Sequence, residues 1–142
     1  MYKEKVTALI EQNEEVFKNA FLRRFPSENE LQTAEDILGM KIPEDYKWFL
    51  QKYGHGGVIF EFLGYGINGK AMFVEETLKQ REYGLPLDLL VIENCDEYVV
   101  CINVNSGNVV SWGRYDIDGV IKMDDSFLAY FLDCVENAID NY

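Results

Sequence analysis

Through the first half of the chain, apolar residues return every third or fourth position; after Val58 they gather into short runs. The first pattern predicts helices and the second strands. Val6, Leu9, Ile10, Phe17, Ala20 and Phe21 share a helical spacing from Tyr2 to about Ala20. Arg23-Arg24-Phe25-Pro26 should end that helix, because the residue before proline avoids helical geometry. Ser27 and Glu30 form a capping-box pattern for a second helix through Leu38, with Leu31, Ala34, Ile37 and Leu38 turned to the core. A third helix opens at Pro43, where the missing N–H costs nothing, and carries Glu44 and Asp45 at its positive end. Its apolar face is Tyr46, Phe49, Leu50 and Tyr53, and Gly54 provides a left-handed stop.

Val58 to Leu63 has a strand composition, and Asn68-Gly69 suits a type I′ turn. Ala71 to Val74 fits a short strand. Glu75 to Tyr83 fits a helix with Leu78 and Tyr83 inward, stopped by Gly84 and Pro86. Leu89 to Ile92 is a short apolar run expected to form a central strand. Tyr98–Val104 and Val109–Trp112 flank Asn105-Ser106-Gly107-Asn108, the clearest hairpin in the chain. Gly119 to Lys122 would add an edge piece. Asp124-Asp125-Ser126 caps a last helix whose stripe is Phe127, Leu128, Phe131, Leu132, Val135, Ala138 and Ile139. Three helices, a mostly antiparallel meander with one inserted helix, and a closing helix make an α+β protein. The expected form is a mixed, mostly antiparallel sheet flanked by helices, in one domain spanning residues 1–142.

Composition narrows the function. At 48% hydrophobic and 14% aromatic, the chain can bury a core. A net charge of −12 disfavours nucleic acid and anionic membranes and favours either solubility alone or a basic partner. Seven acids stand against one lysine from Asp116 to Tyr142, which is half of the imbalance. Met1 to Gln12 holds no apolar stretch of the kind a signal peptide needs, and three unevenly spaced cysteines argue against a disulfide framework. A reducing cytoplasm is the expected location.

Little catalytic chemistry is offered. His55 is the only histidine and there is no paired Cys-x-x-Cys, so zinc is not expected, nor is any other cofactor. A thiol enzyme would have to use Cys95 with His55, whereas Cys101 and Cys134 lie on apolar faces and fit core roles. Gly54-His55-Gly56-Gly57 follows a helix rather than opening one, so it does not match a phosphate loop. Asp96-Glu97 and Asp124-Asp125 fit turn and helix-start roles, with cation binding as the other possibility. Trp48 lies off the main apolar face and Trp112 ends a hairpin strand; each could close the core or anchor a partner. Trp48, Asp96, Glu97 and Trp112 are therefore the candidate contacts.

Several motifs carry a resemblance. Leu38-Gly39, Ile42-Pro43, Asp45 to Leu50 and Tyr53-Gly54-His55-Gly56-Gly57 resemble the signature of the SUKH superfamily. That superfamily includes the Smi/Knr-type yeast regulators and many bacterial immunity proteins. Leu90–Ile92, Tyr98–Asn103 and Gly107–Trp112 are similar to its central hairpin, and Asp125-Ser126-Phe127 with Phe131-Leu132 to its last helix. Relatives often carry aspartate where Asn103 stands and an acid where Gly113 stands, so the partner specificity implied here differs. The resemblance implies a mixed sheet flanked by helices, no catalysis, and binding of a cognate protein toxin, basic and commonly a nuclease. A regulatory scaffold of the yeast type and the thiol enzyme remain as other readings, and monomer and homodimer both remain open.

Overall fold

A computed structural model describes residues 1–115 and 119–142. Asp116 and Asp118, two of the acids counted toward the C-terminal imbalance, lie outside the described residues. The described architecture is α+β: α1 (Tyr2–Gln12), α2 (Glu14–Phe17), β1 (Phe21–Leu22), α3 (Glu28–Leu38), α4 (Glu44–Lys52), β2 (His55–Gly56), α5 (Met72–Arg81), β3 (Leu89–Asn94), β4 (Val99–Asn103), β5 (Val109–Trp112), β6 (Val120–Asp124) and α6 (Phe127–Asn141). β3 to β6 form an antiparallel meander in chain order, and β1 pairs antiparallel with β2. Every pairing of these strands is antiparallel, simpler than the mixed sheet expected.

α4 is the centre of the core. Phe49 is fully buried and meets Phe62 at 5.3 Å and Phe131 at 5.4 Å between ring centroids, both edge to face. Tyr46 meets Phe127 edge to face at 5.0 Å. Its hydroxyl donates to the Leu63 carbonyl, satisfying the one polar atom that its burial would otherwise strand. The helix ends as expected: Gly54 has φ +88° and its N–H bonds the Phe49 carbonyl. Space matters there as much as conformation. A Cβ on Gly54 would strike the Leu22 carbonyl, and one on Gly64 the Gly54 carbonyl, so three backbone segments meet where no side chain fits.

The caps follow the sequence. Ser27 and Glu30 complete both halves of the capping box, and Ser126 accepts from the Ala129 N–H. The β4–β5 hairpin forms as expected: Asn103 Oδ1 accepts from the N–H groups of Asn105 and Ser106, and Gly107 donates to the Asn103 carbonyl. Asn103 thus serves as a turn clasp.

Several local expectations fail. The first helix breaks at Asn13 into α1 and α2, where the Asn13 amide bonds back to the Leu9 carbonyl. Val58 to Leu63 is not a strand. Ile59 has φ +68° and is exposed, and the segment is held by a single antiparallel bridge between Phe62 and Gly56, by the Leu63 N–H on the Ile92 carbonyl, and by the Glu61 N–H donating to the Glu93 carboxylate at 2.7 Å. Only Gly69 of the Asn68-Gly69 pair has positive φ, so that turn is not type I′. Met72 to Val74 is the start of α5 rather than a strand, and only Ala71, its N-cap, is extended, bridging to Tyr65. Beginning at Met72, α5 turns Phe73, Val74 and Thr77 inward, which leaves Leu78 39% and Tyr83 50% exposed. Ile37 of α3 is likewise 53% exposed, against the expectation of a core position, and lines a groove of about 480 Å³ with Leu78.

β6 is the open edge of the sheet, with Val120, Ile121 and Met123 exposed. A register shift at its junction with β5 and the charge on Lys122 blunt that edge against pairing with another strand. The aromatic centre generates a stability prediction. Phe49→Ala should cost about 3–5 kcal/mol of unfolding free energy, read by urea titration. A loss under about 1 kcal/mol would contradict the central position given to that ring.

Candidate functional site: a tyrosine-rimmed cleft at the end of the sheet

One end of the meander gathers residues that are far apart in sequence. The last turn of α5 brings Lys79 and Gln80, with Tyr83 just beyond it. The β3–β4 turn brings Asp96, Glu97 and Tyr98, and the end of β5 brings Trp112, Gly113, Arg114 and Tyr115. Together they line a cleft of about 680 Å³.

The cleft has an aromatic wall. Trp112 is 7% exposed and packs with the core, so it forms floor rather than rim. Tyr83, Tyr98 and Tyr115 are 50%, 41% and 82% exposed. The Arg114 guanidinium lies 4.0 Å from the centroid of the Tyr83 ring and 4.7 Å from that of Tyr115. The turn is built locally: Asp96 has φ +67°, and its N–H bonds the Asn94 side chain at 2.7 Å. Among the described residues, none of Lys79, Asp96, Glu97 and Arg114 forms an ion pair within the chain.

Three of the four candidate contacts therefore meet. Asp96, Glu97 and Trp112 line one cleft, and Trp48 lies elsewhere. The Trp48 ring is partly buried beside Tyr53 and Phe131, at 5.9 and 6.4 Å, with the Lys3 ammonium 5.6 Å from it. It closes the core beneath α1. Tyr83, Arg114 and Tyr115 are not legible in the sequence: helical spacing turns Tyr83 inward, and Arg114-Tyr115 follows a strand in a stretch without periodicity, so only their residue types mark them.

The thiols lie in surroundings unlike those of a nucleophile. Burial, and then the Glu93 carboxylate, push the Cys95 thiol up, with the nearby Tyr98 hydroxyl offsetting part of the rise. Burial holds Cys134 at about 12 and raises Cys101 further. An activated cysteine needs the reverse shift. His55 is committed elsewhere: Nδ1 accepts from the Gly64 N–H at 3.0 Å, and Nε2 lies 3.7 Å from Glu61. Glu93, invisible to sequence reading, is buried, and burial raises its carboxyl. It also takes the Tyr130 hydroxyl at 3.4 Å, so its work is to tie β3 to α6 and to the 58–63 segment. Among the described residues, no cluster of three or more His, Cys, Asp or Glu is placed to hold a metal ion, and no helix is long and apolar enough to cross a membrane. The raised thiol gives a pH prediction. Alkylation of Cys95 by iodoacetamide should be slower at pH 7.5 than that of free glutathione and should accelerate as pH rises past 9. Fast alkylation at neutral pH would restore the thiol-enzyme reading.

Two comparisons bear on this geometry. A solved structure described as a protein from Pseudomonas syringae pv. tomato is similar in fold, with a TM-score of 0.69 and 22% identity over 92% of this chain and 98% of that one. The sequence model of the SUKH_5 family, described as SMI1-KNR4 cell-wall, matches residues 6–136. That match runs from α1 through α6 and takes in every residue lining the cleft, so the chain belongs to the SUKH_5, SMI1-KNR4 family.

Proposed function

We propose that this chain is an immunity protein that binds and neutralises a cognate polymorphic toxin, a nuclease, by direct contact and without catalysis of its own. The observation that carries the reading is the cleft: three exposed tyrosines and an arginine above a tryptophan floor, with Asp96 and Glu97 on its border. Tyrosine, tryptophan and arginine dominate the energetics of protein interfaces: the two aromatics bury large area while losing few rotamers, and arginine offers a planar fork of donors. Trp112 sets the depth, and the rings around it provide anchor surface.

Charge supports the choice of partner. A nuclease holds a cationic cleft for its substrate, and a chain of net charge −12 is drawn toward such a surface. Long-range attraction accelerates encounter, and the rings then slow release. The cytoplasm, where a toxin of this kind would act, is the corresponding location. Membership of the SUKH_5 family supports a protein partner in general.

Co-expression with the product of a neighbouring toxin gene tests the proposal. Growth should be restored by the wild-type chain and lost with a Tyr98→Ala, Tyr115→Ala double variant. Each single change should weaken toxin binding about tenfold or more while leaving the melting temperature in place. Toxicity that is the same with and without the wild-type chain would end the proposal. Capture of several host proteins and no toxin would replace it with a regulatory scaffold. The association rate should also fall as salt rises from about 50 to 500 mM, with dissociation little changed; a salt-independent association rate would remove the charge argument.

A further inference from the structure

The cleft holds cations as well as acids, and their arrangement points to a more specific partner group. The Arg114 guanidinium lies over two rings, 4.0 Å from the Tyr83 centroid and 4.7 Å from the Tyr115 centroid. Contact with two rings restrains a guanidinium, whose donors lie along the edge of its plane. That edge is a fork matched to an acceptor with two oxygens. Lys79 lines the same cleft and adds a second positive charge. Asp96 and Glu97 also line it, yet neither comes within ion-pair distance of Arg114 or Lys79. The two signs are kept apart within one concavity, so among the described residues no acid of the chain pairs with the cationic side.

We propose that the Arg114 side of the cleft receives a carboxylate: an aspartate or glutamate side chain on the partner's docking segment, taken by both oxygens at the edge of Arg114. The inference rests on the reading of the cleft as the partner's site and adds the group that enters it. Lys79 contributes attraction without geometry, since an ammonium is a point charge. Carboxylate is chosen over phosphate because a protein partner carries it on unmodified aspartate and glutamate side chains, and its two oxygens match the guanidinium fork. A basic segment bearing one acidic residue fits both sides of the cleft: its cations meet Asp96 and Glu97 while its carboxylate meets Arg114. Such a two-sign match also fixes the register in which a partner can dock.

The side-chain Nε–Hε signals of the arginines in ¹⁵N-labelled protein give the test. The probes are N-acetyl-glutamate N-methylamide, its glutamine counterpart and inorganic phosphate, each titrated into the full chain at equal ionic strength. The Arg114 signal should shift saturably with the glutamate compound and at least fivefold more weakly with the glutamine compound and with phosphate. Arg23 and Arg24 should not follow. Arg114→Gln should abolish the response of the cleft's backbone signals, and Arg114→Lys should weaken it at least fivefold, because lysine keeps the charge and loses the fork. Arg114 is exposed, so both variants should keep the backbone spectrum outside the cleft. An absent or unsaturable shift, equal shifts from the glutamate and glutamine compounds, tighter binding of phosphate, or full retention by Arg114→Lys would each overturn the proposal. If the carboxylate response is absent while the Tyr98→Ala, Tyr115→Ala double variant still loses the toxin, this inference fails and the cleft's role as partner site stands.

Discussion

Edge-to-face packing around Phe49 is the constraint on which the rest of this molecule depends. The ring touches aromatic residues from its own helix, from the segment after β2 and from α6. Those elements lie far apart in sequence, and each presents a ring rather than an aliphatic chain. Ring pairs prefer particular angles, so they fix orientation as well as proximity. The glycines next to this cluster serve the same purpose. They let the backbones of β1, the end of α4 and the Gly64 segment come closer than any side chain would permit. The Tyr46 hydroxyl bond to the Leu63 carbonyl then locks α4 to that segment.

A rigid centre explains why the cleft lies where it does. Thr77 of α5 donates to the Phe73 carbonyl and accepts from the Val91 N–H, so α5 is tied to β3 at one depth. α5 thereby ends beside the β3–β4 turn, and Tyr83 reaches the end of β5. Trp112 seals the core from below and the tyrosines stand above it. The surface that would meet a partner is therefore supported by packed strands, with the variable chemistry carried on turns. Charge acts at another scale. Acids spread over the whole chain give the long-range field, while the cleft itself carries both signs.

Sequence reading recovered what is decided locally. The Ser27–Glu30 box, the Gly54 stop, the Asn103–Gly107 hairpin and the α6 stripe each follow from a few neighbouring residues, and each appears as expected. It failed where distant groups decide. The segment from Val58 to Leu63 has strand composition, but Ile59 is left-handed and the backbone bonds of Glu61, Phe62 and Leu63 go to Glu93, Gly56 and Ile92, groups distant in sequence or beyond a tight turn. Leu78 and Ile37 fit a helical period and still face outward, because periodicity gives an arc and packing alone gives its edges. The cleft was legible only in part. Asp96, Glu97 and Trp112 were chosen by residue type and turn position, while Arg114 and Tyr83 join them through a tertiary meeting that no local pattern encodes. Trp48 follows from the same reasoning, and its partly buried ring packs against the core away from the cleft.

The central claim is that this cleft is where a partner protein docks. Backbone hydrogen exchange of the chain, alone and in complex with a protein that co-purifies with it, tests it most directly. The account predicts added protection at residues 94–98 and 112–115 and at the end of α5, with the α3–α5 groove unchanged. Protection confined to that groove, or to the exposed edge of β6, with residues 94–98 exchanging as in the free chain, would contradict it.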